Sequence, residues 1–200
     1  MKPGNRYFVI FSAILLLICV FAGCGQNPSK AEKVKIEQSY AIDVDNPREL
    51  VGFADYAFVA QVKDKRGVED LSDEREMPYT IYGVEVLQNV KGTLKQGVTF
   101  PLEKAGGYSK AENAIYEYEE DYLPKEGDIC IFYACAADDG ELIVSGANST
   151  VKLGEAKVQE GSASARDAWK KEKAYEILVE AAKHPILTDR VRSISSYDAE

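Results

Sequence analysis

The run Pro78-Tyr-Thr-Ile-Tyr-Gly-Val-Glu-Val-Leu-Gln-Asn-Val-Lys-Gly92 constrains the fold more than any other stretch of the chain. It is dense in β-branched and aromatic residues, the types that fit a pleated, half-buried surface. Tyr82, Val84 and Val86 fall on one face, Ile81 and Glu85 on the other. A strand this long bends, and Gly83 marks the place for the bend.

Shorter strands surround it. Tyr56 to Val62 alternates, with Phe58, Ala60 and Val62 on one side. Gly97 to Glu103 is a strand whose Pro101 suits an edge. Ile129 to Ala136 is a continuous apolar strand. Asp138-Asp-Gly140 turns the chain so that Glu141 to Ser145 pairs back. Ser149 to Leu153 is a last short strand. Lys63 to Met77 is charged and reads as a loop. Lys110 to Tyr122 reads as an acidic, Tyr-rich insertion, solvated as a loop.

Two helices flank these strands. Asn46 is a good N-cap, Pro47 suits the first helical position, and Leu50, Val51 and Ala54 share one face. Ser164-Ala-Arg-Asp167 resembles a capping box and opens a helix to about Lys183. Ala165, Ala168, Trp169, Tyr175, Leu178, Val179 and Ala182 form its apolar stripe. His184-Pro185 ends it. The expected fold is mainly β: a small OB-like antiparallel β-barrel with a short N-terminal helix and a C-terminal flanking helix. The expected organisation is a leader over 1–23, a flexible tether over 24–40, the barrel over 41–155, the helix over 156–188 and a frayed tail over 189–200.

The leader has a cationic start, Lys2 and Arg6, then an apolar run from Tyr7 to Val20, then Phe21-Ala22-Gly23-Cys24. Counted on to Gly23, the segment from Tyr7 is about 17 residues long, the lower limit for a membrane span, and no cluster of cations follows it. The last four residues resemble the lipobox of bacterial lipoprotein signal peptides, with Phe21 where Leu is usual. The resemblance implies export, a lipid on the Cys24 thiol, cleavage before Cys24, and a place on the outer face of a membrane. Stable anchoring then takes two or more acyl chains.

The formal net charge is −9, and it becomes −11 once Lys2 and Arg6 are removed. Nucleic-acid binding needs a basic footprint, which so acidic a chain lacks. Anionic headgroups would repel it, so the lipid must hold it to the membrane.

Metal and triad chemistry are poorly served. The chain has one histidine, His184, and a His-based zinc site needs several His or Cys ligands. Cys130 and Cys135 lie in one strand, so their Cα atoms are roughly 16 Å apart and point to opposite faces. Neither a disulfide nor a shared metal joins them, and both are expected as free thiols. No metal and no cofactor is expected.

A second resemblance rests on looser motifs over residues 50–153. They are Ala54 to Val62, Tyr79-Thr80 leading to Val84 to Gly92, Ala105-Gly-Gly107, and Leu123 with Gly127-Asp128 before an apolar strand. Together they look like uncharacterised secreted bacterial proteins, which in turn look like the OB-type barrels of netrin modules and metalloproteinase inhibitors. The inhibitors' disulfide set is missing and Cys24 would be lipidated, so no inhibitory residue is carried over.

The expected function is a lipid-anchored, non-enzymatic binding or accessory module of the cell envelope with a protein partner. Tyr108, Tyr116, Tyr118 and Tyr122 are the candidate contact residues, because Tyr is enriched in interfaces. The alternatives are a carboxylate-based hydrolase using Glu117, Glu119 or Asp121, and a protease inhibitor. The blander role for the four rings is to cover the open end of the barrel.

Overall fold

The computed structural model describes residues 31–72, 76–156 and 167–199. Cys24 and the leader, like Ser164, Ala165 and Arg166 of the expected helix start, lie outside the described residues.

The long run forms strand β3 (Tyr79–Lys91), and the strand before it, β2 (Tyr56–Glu69), is as long. They pair antiparallel along almost their whole length, with register shifts between Ala57/Phe58, Val59/Ala60, Val62/Asp64 and Lys65/Gly67. Each shift adds local twist, and four of them coil the hairpin. Gly83 lies at one of these irregularities, opposite Asp64, whose carboxylate accepts the Gly83 N–H at 3.1 Å. The expected loop from Lys63 is therefore strand as far as Glu69. Its charges sit on exposed and half-buried positions of an arm that, among the described strands, pairs with β3 alone, so no apolar alternation is needed to hold it.

The coiled hairpin closes with β4 (Thr99–Ala105), β7 (Asp128–Ala136) and β8 (Leu142–Val144). The order is β2-β3-β4-β8-β7, and β2 pairs again with β7 to complete a five-stranded barrel. One seam differs from the antiparallel expectation: β4 and β8 run parallel through Glu103↔Ile143 and Lys104↔Val144. β8 begins to pair only at Glu103, so Pro101 sits where β4 has β3 alone as a neighbour. That gap explains how a proline fits this strand. β9 (Thr150–Glu155) extends β7 outside the barrel.

Alternation divides the apolar residues into two cores. Phe58, Ala60 and Val62 meet Tyr82, Val84, Val86, Phe100, Leu102, Cys130, Phe132, Leu142 and Val144 inside the barrel. Ala57, Val59, Ile129, Ile131 and Tyr133 point outward instead. They pack beneath α1 (Pro47–Phe53) and α2 (Lys173–Lys183), with Leu50, Val51, Trp169, Leu178 and Ala181. β7 is thus buried on both faces, which is why it reads as a continuous apolar run. Asn46 caps α1 by accepting the Arg48 N–H at 3.1 Å, with Pro47 at the start, as expected. The C-terminal helix is broken. A 3-10 turn (Ala168–Lys171) buries Trp169, Glu172 is extended, and α2 then runs to Lys183, with His184 as its C-cap.

Three expectations are corrected. Within the tether expected over 24–40, Glu32–Ile36 form a strand, β1, which pairs in parallel with β6 (Ala114–Tyr118). The insertion at 110–122 is likewise not a solvated loop: β6 also pairs with β5 (Gly107–Ser109), making a three-stranded sheet β1-β6-β5. The third correction concerns the tail. Residues 190–199 form a strap, with Arg190 on Asp55, Arg192 on the carbonyls of Gly52 and Ala54, and Ser195 on Tyr56 and Gly140. Tyr197 stacks on Phe100 at 4.7 Å, and Ala199 N–H reaches the Thr93 carbonyl at 2.7 Å. Among the described residues no helix is long and apolar enough to cross a membrane.

Candidate functional site

After β1 the chain must reach α1, and residues 38–44 make that crossing over the ends of β7 and β8. They leave a cleft of about 280 Å³ beneath them. Its walls are Tyr40, Ile42 and Val44 from the crossing segment, Leu50, Phe53 and Ala54 from α1 and its C-cap, and Tyr133, Cys135 and Ile143 from the barrel's outer face. The polar side is formed by Gln38, Ser39, Ser145 and Ser149, with the backbone of Gly146 and Ala147 between the two latter serines.

The turn between β8 and β9 fastens the crossing segment at two points. Ala147 N–H donates to the Tyr40 hydroxyl at 2.9 Å. The Asn148 amide donates to the Val44 carbonyl at 3.3 Å and to Asp45 Oδ1 at 3.0 Å. Gly146 permits the closeness: its φ is +97°, and a Cβ there would stand 2.9 Å from the Tyr40 ring. Burial raises the pKa of Tyr40 and pushes Tyr133 up to about 12, so both phenols are neutral.

Behind the polar wall lies a buried ion pair that the sequence did not disclose. Lys104 and Asp121 have side chains 0% and 2% exposed, and they contact each other directly. Asp121 also accepts the Thr150 N–H at 3.0 Å. Lys104 donates to the Ala105 carbonyl at 3.2 Å and to Ser149 Oγ at 3.4 Å. Burial pushes Lys104 down and Asp121 up, while each holds the other toward its charged form. The Ser149 hydroxyl donates to the Gly146 carbonyl at 2.7 Å. A lysine engaged by a carboxylate has no free lone pair with which to activate that serine.

A second hollow of about 320 Å³ adjoins the cleft and shares Gln38, Tyr40, Val44 and Ala147 with it. It adds Ile36, Glu37, Glu119 and Glu120. The three carboxylates are exposed, and no cation lines either space. Glu120 is held in the left-handed region, φ +55°, while its carbonyl accepts the Asn148 N–H at 2.9 Å. The result is an apolar cleft with an acidic mouth.

The expected contact tyrosines do not form one patch. Tyr118 is buried with Met77 and Ala105, and its hydroxyl meets Ser145 Oγ at 3.3 Å, behind the cleft wall. Tyr122 packs against the barrel interior and donates to Asp128 Oδ2 at 2.7 Å. Covering the barrel therefore describes Tyr122 among the four. Tyr116 is half-buried beside Tyr118, with its hydroxyl on Glu112. Tyr108 pairs with Ile115, so it stands on the opposite face of the small sheet, bonded to Asn113 at 2.9 Å. The candidate carboxylates also separate. Glu117 pairs with Lys35 at 2.9 Å, Asp121 is buried with Lys104, and Glu119 is at the exposed mouth.

Cys130 and Cys135 are both free, as their spacing predicts. Cys130 is inside the barrel, while Cys135 faces the cleft. Burial raises both thiols above their ordinary range, which makes them poor nucleophiles at neutral pH. Among the described residues, no group of three or more His, Cys, Asp or Glu could hold a metal ion. No protein-family model matches the chain, and no curated protein is similar enough to count as a relative.

Proposed function

We propose that the protein is a lipid-anchored, extracytoplasmic binding module of the bacterial cell envelope, non-enzymatic and acting on a protein partner. The anchor rests on the leader: Lys2 and Arg6, the apolar run, and Phe21-Ala22-Gly23-Cys24. The observation that carries the binding role is the cleft under residues 38–44. It is already open, lined by apolar side chains, and braced by fixed hydrogen bonds at both ends. The state of the ionisable groups supports a non-catalytic reading. Asp121 is engaged by Lys104, Asp128 by Lys152 and Tyr122, Asp55 by Arg190, and Glu117 by Lys35. A hydrolase built on paired carboxylates needs two of them facing one substrate, and Glu117 and Asp121 are spent on separate cations.

The test is in-cell crosslinking followed by pull-down, with Cys24→Ser as the control. A partner captured specifically by the wild type and lost in the variant supports the proposal. Equal capture by both forms, or release of neither from the membrane fraction, overturns the anchored reading.

A further inference from the structure

We infer that the cleft takes one apolar side chain of a partner segment whose neighbouring residues are cationic, and that the acidic mouth reads those cations. This deepens the proposed function and rests on the partner being a protein. Three observations carry it. The first is size. At about 280 Å³ the cleft falls just under the range of about 300–1,000 Å³ usual for small-molecule sites. That suits a side chain better than a cofactor. The second is chemistry. The deep walls are Ile42, Leu50, Phe53, Tyr133 and Ile143, with no charged residue among the lining groups. A charged side chain placed there would lose its hydration without a partner.

The third is charge complementarity at the entrance. Glu37, Glu119 and Glu120 border the adjoining hollow, and the shared residues Tyr40 and Ala147 join it to the cleft. All three carboxylates are exposed and none has an ion-pair partner among the described residues. Lys and Arg side chains in a bound segment would meet them in solvent, where such contacts set encounter rate and specificity and weaken with salt. A segment flanked by acidic residues would be repelled by the same groups and by a chain of net charge −9.

The experiment titrates the full-length protein with a blocked five-residue peptide, a central leucine flanked by lysines, labelled for fluorescence anisotropy. Control peptides replace the leucine by serine or the lysines by glutamates. Two protein variants are used: the exposed rim triple Glu37→Gln, Glu119→Gln and Glu120→Gln, which leaves the core untouched, and Ile143→Trp, which fills the cleft from a half-buried position. Saturable binding of the basic leucine peptide is expected. It should weaken about tenfold or more with either control peptide, and with either variant. Binding that is indifferent to peptide charge, that is unchanged in the rim triple, or that never saturates up to about millimolar peptide overturns the inference. The pull-down reads the other claim separately. Partner capture without peptide binding removes the cleft chemistry alone; peptide binding without capture removes the partner reading alone.

Discussion

Arg190 clamps Asp55 through two parallel bonds, Nη1 to Oδ1 at 2.6 Å and Nη2 to Oδ2 at 2.9 Å. Asp55 is the residue between α1 and β2, and its Oδ2 also accepts the Ala136 N–H at 3.0 Å. One carboxylate therefore ties the C-terminal strap, the end of α1 and the end of β7 together. The Asp55 side chain is 2% exposed and that of Arg190 26%. Arg190→Ala leaves a buried carboxylate without its cation. The expected loss is about 3 kcal/mol, the lower end for a broken buried pair because Arg190 is partly solvated. Urea unfolding at neutral pH measures it, and a loss under about 1 kcal/mol contradicts the clamp.

The Lys104–Asp121 pair makes a stronger case, since neither side chain is solvated. Lys104→Met alone is expected to cost about 3–5 kcal/mol by stranding Asp121. The double variant Lys104→Met with Asp121→Leu should recover most of that loss, because an apolar pair removes the desolvation penalty from both groups. A double-mutant cycle in denaturant provides the check. Simple additivity of the two single losses contradicts the coupling.

Acid stability has a specific source in Asp128. Burial alone would raise its pKa, but Lys152, the Tyr122 hydroxyl and the Lys125 N–H bring it below the ordinary carboxylate value. The folded pKa is depressed, so the stabilisation is present above the unfolded value of about 3.9 and is lost as pH falls through the folded pKa. Asp128→Asn should be less stable than wild type at pH 7 by about 1–3 kcal/mol. The gap should narrow steadily below about pH 4. Unfolding midpoints from pH 7 to pH 2 test this; a gap that stays constant contradicts it.

Gly52 offers a test of sign. It lies within α1, where alanine is normally favoured over glycine by about 1 kcal/mol. A Cβ at Gly52 would stand 1.7 Å from the Ile186 carbonyl oxygen, and the Ile186 N–H donates to the Arg48 carbonyl at 3.0 Å. The segment after α2 must move away from α1 to admit a methyl group. Gly52→Ala is therefore expected to destabilise the protein by more than about 1 kcal/mol despite the better helix former. A higher melting temperature in the variant would contradict this close approach.

Local signals made much of the barrel legible. Phe58, Ala60 and Val62, like Tyr82, Val84 and Val86, alternate because the barrel has one filled face, and Asn46-Pro47 signals a helix start within two residues. The parts that were missed depend on distant partners. Glu32-Lys-Val-Lys-Ile36 is too polar to read as a strand, and it is one only because β6, about eighty residues on, pairs with it. The tail is mostly polar, its Val191 and Ile194 are exposed, and its order comes from Asp55, Tyr56, Phe100 and Gly140. The cleft was invisible for the same reason, since residues 38–54, 133–135 and 143–149 meet only in space. Asp121 looks like part of an acidic loop in the sequence because nothing in its neighbourhood announces Lys104.

The most direct measurement places a photo-crosslinking amino acid at position 143, inside the cleft, in the full-length protein expressed in its own cells. The expected result is one discrete protein adduct in the membrane fraction, lost when Cys24→Ser releases the protein and when the three rim glutamates become glutamine. No adduct, or an adduct formed equally by all three forms, would contradict an anchored module that binds a partner through this cleft.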